Sequence, residues 1–187
     1  MKFGTITTLS AAALALAACG KKNETTADTT NASIAGTGND MTATTPAASG
    51  GQGFANAMAA SDAFELATSR LALTSATSSG VKAFAQQMID AHTDSTARLQ
   101  TAAAGASITP DPTLTPEQQA TLDSLKAAQG KAFDTAYIAG QAAGHQKTLD
   151  TLRAYSTTGD VPALKAFATT LTPIVAAHLN MVKSMNS

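Results

Sequence analysis

The chain has 187 residues, a formal net charge of −1, 44% hydrophobic residues and only 4% aromatic residues. This length suggests one domain, and the near-neutral charge provides no long-range field for binding nucleic acid or an anionic membrane surface. Alanine supplies much of the apolar fraction. Because alanine favours helices and fills sheets poorly, a large β-sandwich is disfavoured.

The first 18 residues have the pattern of a secretory signal peptide, since residues 6–18 form an apolar run too short to cross a bilayer as a finished helix. The run ends in Leu-Ala-Ala-Cys, which resembles the lipobox of bacterial lipoproteins, and Cys19 is the only cysteine of the chain. We therefore expect cleavage before Cys19 and acylation of Cys19, which would anchor the protein to a membrane. Gly20 then implies the outer membrane, facing the periplasm. The alternative is an ordinary signal peptide with an incidental cysteine.

Lipidation of Cys19 would leave no free thiol, which excludes disulfides, cysteine-ligated zinc, iron–sulfur clusters and thiol catalysis. Residues 19–52 begin with this cysteine and are rich in Thr, Ala, Asn, Ser and Gly, without an apolar period. Such a sequence has no face to bury, so it predicts a disordered, flexible tether with a reach of roughly 30 Å. The folded domain is expected over residues 53–187.

From residue 53 onward, apolar residues recur at helical spacing and predict long amphipathic helices. The first pair, at about residues 53–76 and 81–104, is separated by a Ser-Ser-Gly turn. Residues 105–115 contain two prolines and are predicted to connect this pair to the rest of the domain.

The second pair of helices follows this connection. A capping box of Thr and Gln predicts a helix over residues 115–155, with a break or kink at Gly130. The last helix is predicted over residues 160–185, with Asp160 as its cap and a kink at Pro173. Four long helices with two short turns and one longer connection predict an all-α fold, an antiparallel four-helix bundle.

The three histidines are the main chemical signal, because each lies on the apolar stripe of a different predicted helix. His92 is on the second helix, His145 on the third and His178 on the last, whereas Glu65 is the only carboxylate near the inner stripe of the first. At about 1.5 Å of rise per residue, Glu65, His92 and His145 should share one level, with His178 about 7 Å further along.

Two interpretations of this arrangement stay open. In the first, Glu65, His92 and His145 ligate one metal ion, and His178 is a fourth ligand or a supporting group. Imidazole and carboxylate ligands together suit Zn, Fe, Mn or Cu(II). In the second, the histidines are separate core residues, each neutral and hydrogen-bonded to a neighbour.

Three further residues are assigned to the surroundings of such a metal site. Gln141 and Tyr137 are expected beside His178. Asp134 can face the same way as His145, but it lies about 16 Å further along the helix, which favours a cap or hydrogen bond elsewhere. None of these residues is expected to be catalytic.

Four groups of residues, spread in order over residues 53–185, carry a family resemblance. They are the helix with Glu65, Lys82-Ala83-Phe84-Ala85 followed by His92, Phe133-Asp134-x-x-Tyr137 followed by His145, and Leu171-x-Pro173 followed by His178-Leu179. This pattern resembles the bacterial family called domain of unknown function 4142. The resemblance implies a ferritin-like four-helix bundle, an exported location and no established activity.

The sequence departs from di-iron ferritin-like proteins, whose ligands include paired Glu-x-x-His motifs. Ile89 and Val175 stand three positions before His92 and His178, where those motifs require Glu. A di-metal centre is therefore not expected, whereas a single ion remains compatible with the residues.

Two functions are compatible with these observations. The first is an envelope lipoprotein that binds a partner protein or small ligand, or acts in stress, without chemistry of its own. The second is a metal-binding bundle for metal handling. Scattered basic residues without interleaved aromatic residues exclude a nucleic-acid interface, and with no nucleophile motif an enzymatic function is the least favoured.

Overall fold

The computed structural model describes residues 50–185, which are helical apart from their connections and contain no strand. The helices are α1 (Gly51–Ser75), α2 (Ser79–Ala104), α3 (Pro116–Ala127), α4 (Gly130–Thr158) and α5 (Pro162–Ser184). The predicted all-helical fold is thereby confirmed. The expected signal peptide (1–18), the lipidated Cys19 and the tether as far as residue 49 lie outside the described residues.

The predicted helix over residues 115–155 is two helices, so the described domain has five helices rather than four. Gly130 adopts a positive φ of 59°, a conformation that glycine takes without a steric penalty, and Gln129 before it is extended. The chain therefore breaks at this point instead of kinking. The predicted capping box opens α3, because the Thr115 hydroxyl accepts the Gln118 N–H and the Gln118 side chain accepts the Thr115 N–H.

The prediction that Asp160 caps the last helix is wrong. α5 begins at Pro162, with Val161 at the cap position and no side-chain cap. The proline suits this position because the first N–H of a helix has no partner within the helix. The Asp160 carboxylate instead accepts a hydrogen bond from the Tyr155 hydroxyl at 2.8 Å, which ties the end of α4 to the turn before α5. Pro173 lies inside α5, which continues through it to Ser184.

The four long helices enclose one core, and each of them packs against two others. α1 packs against α2 and α4, and α5 packs against the same two helices. The short connections within the pairs α1–α2 and α4–α5 make the members of each pair antiparallel neighbours. α3 packs across α1 and α4. The largest fully buried apolar side chains include Phe54, Met88, Leu99, Phe133, Tyr137, Leu152 and Leu164.

The outer faces of the helices are mainly polar. Within residues 50–185, the exposed large hydrophobic side chains are Ile174 and Met181, both on α5. None of the helices in this part of the chain combines the length and the apolar character that a membrane crossing requires.

Asp134 on α4 holds the turn between α1 and α2 instead of surrounding the histidines. Its Oδ1 accepts the Thr77 N–H at 3.0 Å, and its Oδ2 accepts the Ser78 N–H at 2.9 Å and the Thr77 hydroxyl. Burial opposes ionisation of Asp134, but these donors outweigh it and hold the pKa of the carboxyl below its ordinary value. The side chain therefore links the two helix pairs at the end of the domain opposite the α4–α5 turn.

Replacing Asp134 by Ala should lower the free energy of unfolding by about 1–2 kcal/mol at pH 7, because backbone N–H groups at the start of α2 lose their acceptor. Since the folded-state pKa is lowered, the contribution of Asp134 is present above its ordinary pKa near 3.8 and is lost as the pH falls below that value. The difference from wild type should therefore shrink at acid pH. Urea denaturation at neutral and acid pH measures this effect. Asp150→Ala on the exposed face of α4 is the control, and an equal effect of both substitutions would contradict the assignment.

Candidate metal centre

Three imidazole rings from three helices meet in the core. The ring centroids of His92 and His145 lie 5.7 Å apart, those of His145 and His178 5.6 Å, and those of His92 and His178 6.2 Å. One ring nitrogen of each histidine lies within 4.8 Å of one ring nitrogen of each of the others. His92 and His145 are buried, and His178 is half-buried. α2, α4 and α5 thus each contribute one imidazole to a common cluster.

One nitrogen of each ring is buried and has no hydrogen-bond partner in the described part of the chain. These atoms are His92 Nε2, His145 Nε2 and His178 Nδ1. A buried polar atom without a partner costs about 1–3 kcal/mol, so such atoms are rare in folded proteins. Three of these atoms belong to the histidine cluster, and a fourth, Gln141 Oε1, belongs to a residue that contacts it.

Asp62 on α1 orients the first ring. Its Oδ1 accepts a hydrogen bond from His92 Nδ1 at 2.8 Å, and its Oδ2 accepts one from the Thr96 hydroxyl at 3.2 Å. Because a carboxylate accepts this bond, His92 Nδ1 carries the proton and the lone pair of the neutral ring lies on Nε2. A carboxylate that holds the far nitrogen of a histidine in this way is typical of metal ligands, since it fixes the ring and raises its basicity.

Asp62 was not among the predicted site residues. It could have been predicted, because Asp62 lies three positions before Glu65 and residues at this spacing share a helix face. The apolar stripe predicted that Glu65 faces the core. Asp62 lies beside Glu65 on the same buried side of α1.

A backbone carbonyl orients the second ring. His145 Nδ1 donates to the Gln141 carbonyl, one helical turn earlier, at 2.9 Å. A carbonyl can only accept, so the lone pair of neutral His145 lies on Nε2, as in His92. The Gln141 side chain in turn donates to Glu65 Oε2 at 2.5 Å. Gln141 therefore lies next to the cluster, as predicted, and acts through both its backbone and its side chain.

Glu65 lies beside the cluster but not within the group of atoms that could share an ion. Its Oε1 is 3.6 Å from His145 Nδ1, which is the nitrogen on the far side of the ring from the unpartnered Nε2. The group of potential ligand atoms found in the described residues contains the three histidines without Glu65. Gly144 leaves room for the carboxyl, because a Cβ there would stand 3.2 Å from Glu65 Oε1. Glu65 therefore lies against the Nδ1 side of His145, outside the group formed by the three histidines.

The ring of Phe84 lies between Tyr137 and the histidine cluster. Its hydroxyl is hydrogen-bonded to the Ser69 hydroxyl at 2.8 Å, and burial raises its pKa. Its ring packs edge-on against Phe84, which in turn lies 6.5 Å from the His145 ring. Tyr137 therefore belongs to the wall around the cluster and packs against it through Phe84.

The predicted offset of His178 along the helix axis is too large. That offset follows from counting the residues of both helices from Gly159. In the structure, α4 ends at Thr158 and α5 begins at Pro162. Counted from these helix ends, His145 and His178 differ by three residues, which is about 4.5 Å of rise. The reach of two imidazole side chains covers this distance, so the rings meet.

Burial keeps two of the rings neutral. Burial, followed by the charges of neighbouring histidines, lowers the pKa values of His145 and His178 to about 4. Burial also opposes charge on His92, but the hydrogen bond to Asp62 and the nearby carboxylates raise its pKa. Burial raises the pKa of Glu65. Because metal ions bind neutral imidazole, the state of His145 and His178 at neutral pH suits a metal ligand.

The dimensions of the cluster fit one transition-metal ion. If three atoms lie within 4.8 Å of one another, the point at the centre of their triangle is no more than about 2.8 Å from each atom. Zinc–nitrogen bonds are about 2.0–2.1 Å, so each ring would have to move inward by about 0.7 Å or less. Small rotations of the side chains provide such a shift. Three imidazole nitrogens form a ligand set suited to Zn, Cu, Fe or Ni.

The fold and the site together define an all-helical domain with a buried cluster of three histidines. Residues 37–185 match the family model "Domain of unknown function (DUF4142)", which covers most of the chain. The chain therefore belongs to this family, as its sequence resemblance predicted. No curated protein and no solved structure gives a match to the chain.

The pairing of Asp62 with His92 generates a prediction for the metal-free protein. Asp62→Asn should lower the pKa of His92, because it removes the charge and the acceptor that oppose the effect of burial. NMR titration of the histidine ring signals in the presence of a chelator measures this shift. Asp94→Asn is the matched control, since Asp94 is an exposed carboxylate two residues from His92 that pairs with Arg98. An equal shift in both variants, or none in Asp62→Asn, would contradict the role of Asp62.

Proposed function

We propose that this protein binds one transition-metal ion through His92 Nε2, His145 Nε2 and His178 Nδ1, and that metal handling is its function. The observation that carries the proposal is the meeting of three rings, each of which has one buried nitrogen without a hydrogen-bond partner and one nitrogen within 4.8 Å of a nitrogen of each other ring. One ion would satisfy all three lone pairs at once.

The surroundings of the rings support this proposal, because a ligand that is already oriented loses little freedom on binding. Asp62 and the Gln141 carbonyl each hold an Nδ1–H, which directs the two Nε2 atoms into the cluster. Core histidines that served packing alone would be satisfied by hydrogen bonds at both nitrogens or by one bond and solvent. In His92 and His145 the Nδ1 is held by a hydrogen bond, and the Nε2 is free to ligate.

The ligand set also favours some ions over others. Imidazole suits Zn, Cu, Fe and Ni, whereas Mn prefers carboxylate and carbonyl oxygens. Because Glu65 stands behind His145 rather than in the cluster, we expect zinc or copper to bind more tightly than manganese. A buried site of this kind suits retention of an ion, which agrees with a role in metal handling or in protection against metal stress.

We further propose that α1, α2, α4 and α5 form a ferritin-like four-helix bundle, with α3 in the connection between the two pairs. The pairwise packing of these four helices supports this assignment. The ligands differ from those of a di-iron centre, because Ile89 and Val175 stand where its glutamates would be. The bundle would therefore hold one ion on histidines rather than two on carboxylates.

The purified chain, incubated with zinc or copper and freed of excess ion, should retain about one ion per chain by elemental analysis. His178→Ala should reduce the amount of retained metal to well below one ion per chain, because two ligands hold an ion much less tightly than three. Bound metal should also raise the free energy of unfolding, by about 2.7 kcal/mol when free metal is 100-fold above its Kd.

The matched control is Asn180→Ala, which changes an exposed residue two positions from His178 on the same helix. It should keep the full amount of metal. His145→Gln tests a second ligand with little change in volume, and circular dichroism verifies that each variant is folded. A wild-type chain without bound metal, or a folded His145→Gln variant with the same amount as wild type, would refute the metal site.

We propose, in addition, that the mature protein is a lipoprotein of the bacterial envelope, anchored through Cys19 in the outer membrane. The support is the apolar run that ends in Leu-Ala-Ala-Cys, together with the sequence rich in Thr, Ala, Asn, Ser and Gly that follows it. An anchored metal-binding domain would hold its ion on the periplasmic side, where it could meet other envelope proteins.

Cys19→Ser should move the protein from the membrane fraction to the soluble fraction of a bacterial host, because the acyl chains have no attachment site. Mass spectrometry of the N-terminal peptide of wild type should show an acylated cysteine. Lys21→Ala, close by in the same segment, should leave the protein in the membrane. An unmodified Cys19, or a Cys19→Ser variant that stays in the membrane, would overturn the proposed anchor.

A further inference from the structure

A small cavity borders the histidine cluster on the side of His92 and His178. Its volume is about 20 Å³. A water molecule needs about 10–15 Å³ of such space, so the cavity holds a group of roughly this size. The other walls are contributed by α1, α2, α4 and α5, and they include Met58, Ser61, Asp62, Thr148, Leu152 and Val175.

The cavity combines apolar walls with a polar edge. The hydroxyls of Ser61 and Thr148 are hydrogen-bonded to each other at 2.9 Å, and both residues line the cavity together with Asp62. Such a lining accommodates a small polar molecule better than a purely apolar one, since hydroxyls and a carboxylate are available as hydrogen-bonding groups.

Coordination chemistry gives this cavity a role. Three protein ligands leave a four-coordinate zinc or copper ion with one further position, and sites of this kind take water or another small ligand there. Two of the three ligand rings, His92 and His178, line the cavity, whereas His145 does not. The cavity is therefore the space beside the cluster in which a further ligand would lie.

We infer that the metal centre keeps one exchangeable coordination position in this cavity, open to water and to slender ligands such as azide that extend from the metal into it, and closed to ring-sized ligands such as imidazole. The inference rests on the proposed metal site and adds the size class of molecule that reaches it. It makes the site selective for species such as water, small inorganic anions and peroxide-sized molecules.

The surrounding structure supplies a short route from solvent. Ile174 lines the cavity and is 37% exposed at the surface of α5. Phe167 and Leu171 line both the cavity and a groove of about 620 Å³ between α2 and α5. The side chains of Phe167 and Leu171 thus lie between the groove and the cavity, and Ile174 lies between the cavity and the surface of α5.

The test uses the chain loaded with Co(II), whose visible spectrum reports changes of coordination. Azide, with three atoms in a line, should change this spectrum with a saturable dependence on concentration. Imidazole, a larger ligand, should not change it at the same concentrations. In Ile174→Ala, which enlarges the cavity, imidazole should bind at least about tenfold more tightly than in wild type.

Met181→Ala is the matched control, because Met181 is the other exposed large hydrophobic residue of α5 and does not line the cavity. It should respond to azide and imidazole as wild type does. Both substitutions are at exposed positions, so the variants should fold, and their Co(II) content is measured before each titration.

The outcomes separate the inference from the proposed function. A chain that retains Co(II) but whose spectrum azide does not change overturns the exchangeable position and leaves the metal site standing. Imidazole binding to wild type as tightly as to Ile174→Ala overturns the size limit. A chain that retains no Co(II), zinc or copper overturns the proposed function and the inference with it.

Discussion

A ring nitrogen that is buried without a hydrogen-bond partner costs free energy, and this domain has three such nitrogens in one cluster of imidazoles. His92 Nε2, His145 Nε2 and His178 Nδ1 come from three helices, so the packing of α2, α4 and α5 determines whether they meet. No rearrangement of one side chain would satisfy all three atoms. The proposed metal site, the ions proposed for it and the inferred exchangeable position all depend on this cluster.

The cluster is held by polar groups that are themselves part of the core. Asp62 connects α1 to His92, and Glu65 connects α1 to Gln141, whose carbonyl holds His145. α1 therefore contributes no imidazole, but it holds the His92 ring directly and the Gln141 side chain next to His145. In a low-dielectric core such connected hydrogen bonds are stronger than in water, and the loss of one member leaves another group unpaired. Site geometry and core stability are coupled for this reason.

Helical spacing was enough to predict much of this architecture. It predicted the long helices and the inward direction of the histidines. The capping box at Thr115 predicted the start of α3, and Gly130 predicted the break between α3 and α4. These features depend on residues close in sequence, whose effects are local. The family resemblance rested on the same residues and is confirmed by the match over residues 37–185.

The remaining features depend on contacts between helices, which spacing does not give. Asp62 and Glu65 share a face of α1, and only the positions of α2 and α4 decide that Asp62 holds His92 while Glu65 stands behind His145. The predicted position of His178 along the helix axis was too far from His145, because spacing does not locate the ends of α4 and α5 to within one residue. Asp134 faces inward as expected, but its distance along α4 brings it to the α1–α2 turn.

The most direct test of the central claim is a crystal structure of the zinc-loaded chain with anomalous diffraction measured at the zinc absorption edge. The account predicts one strong peak between the three rings, about 2.0–2.1 Å from His92 Nε2, His145 Nε2 and His178 Nδ1. A zinc-loaded crystal without a peak at this position, or with peaks only at surface carboxylates, would contradict it.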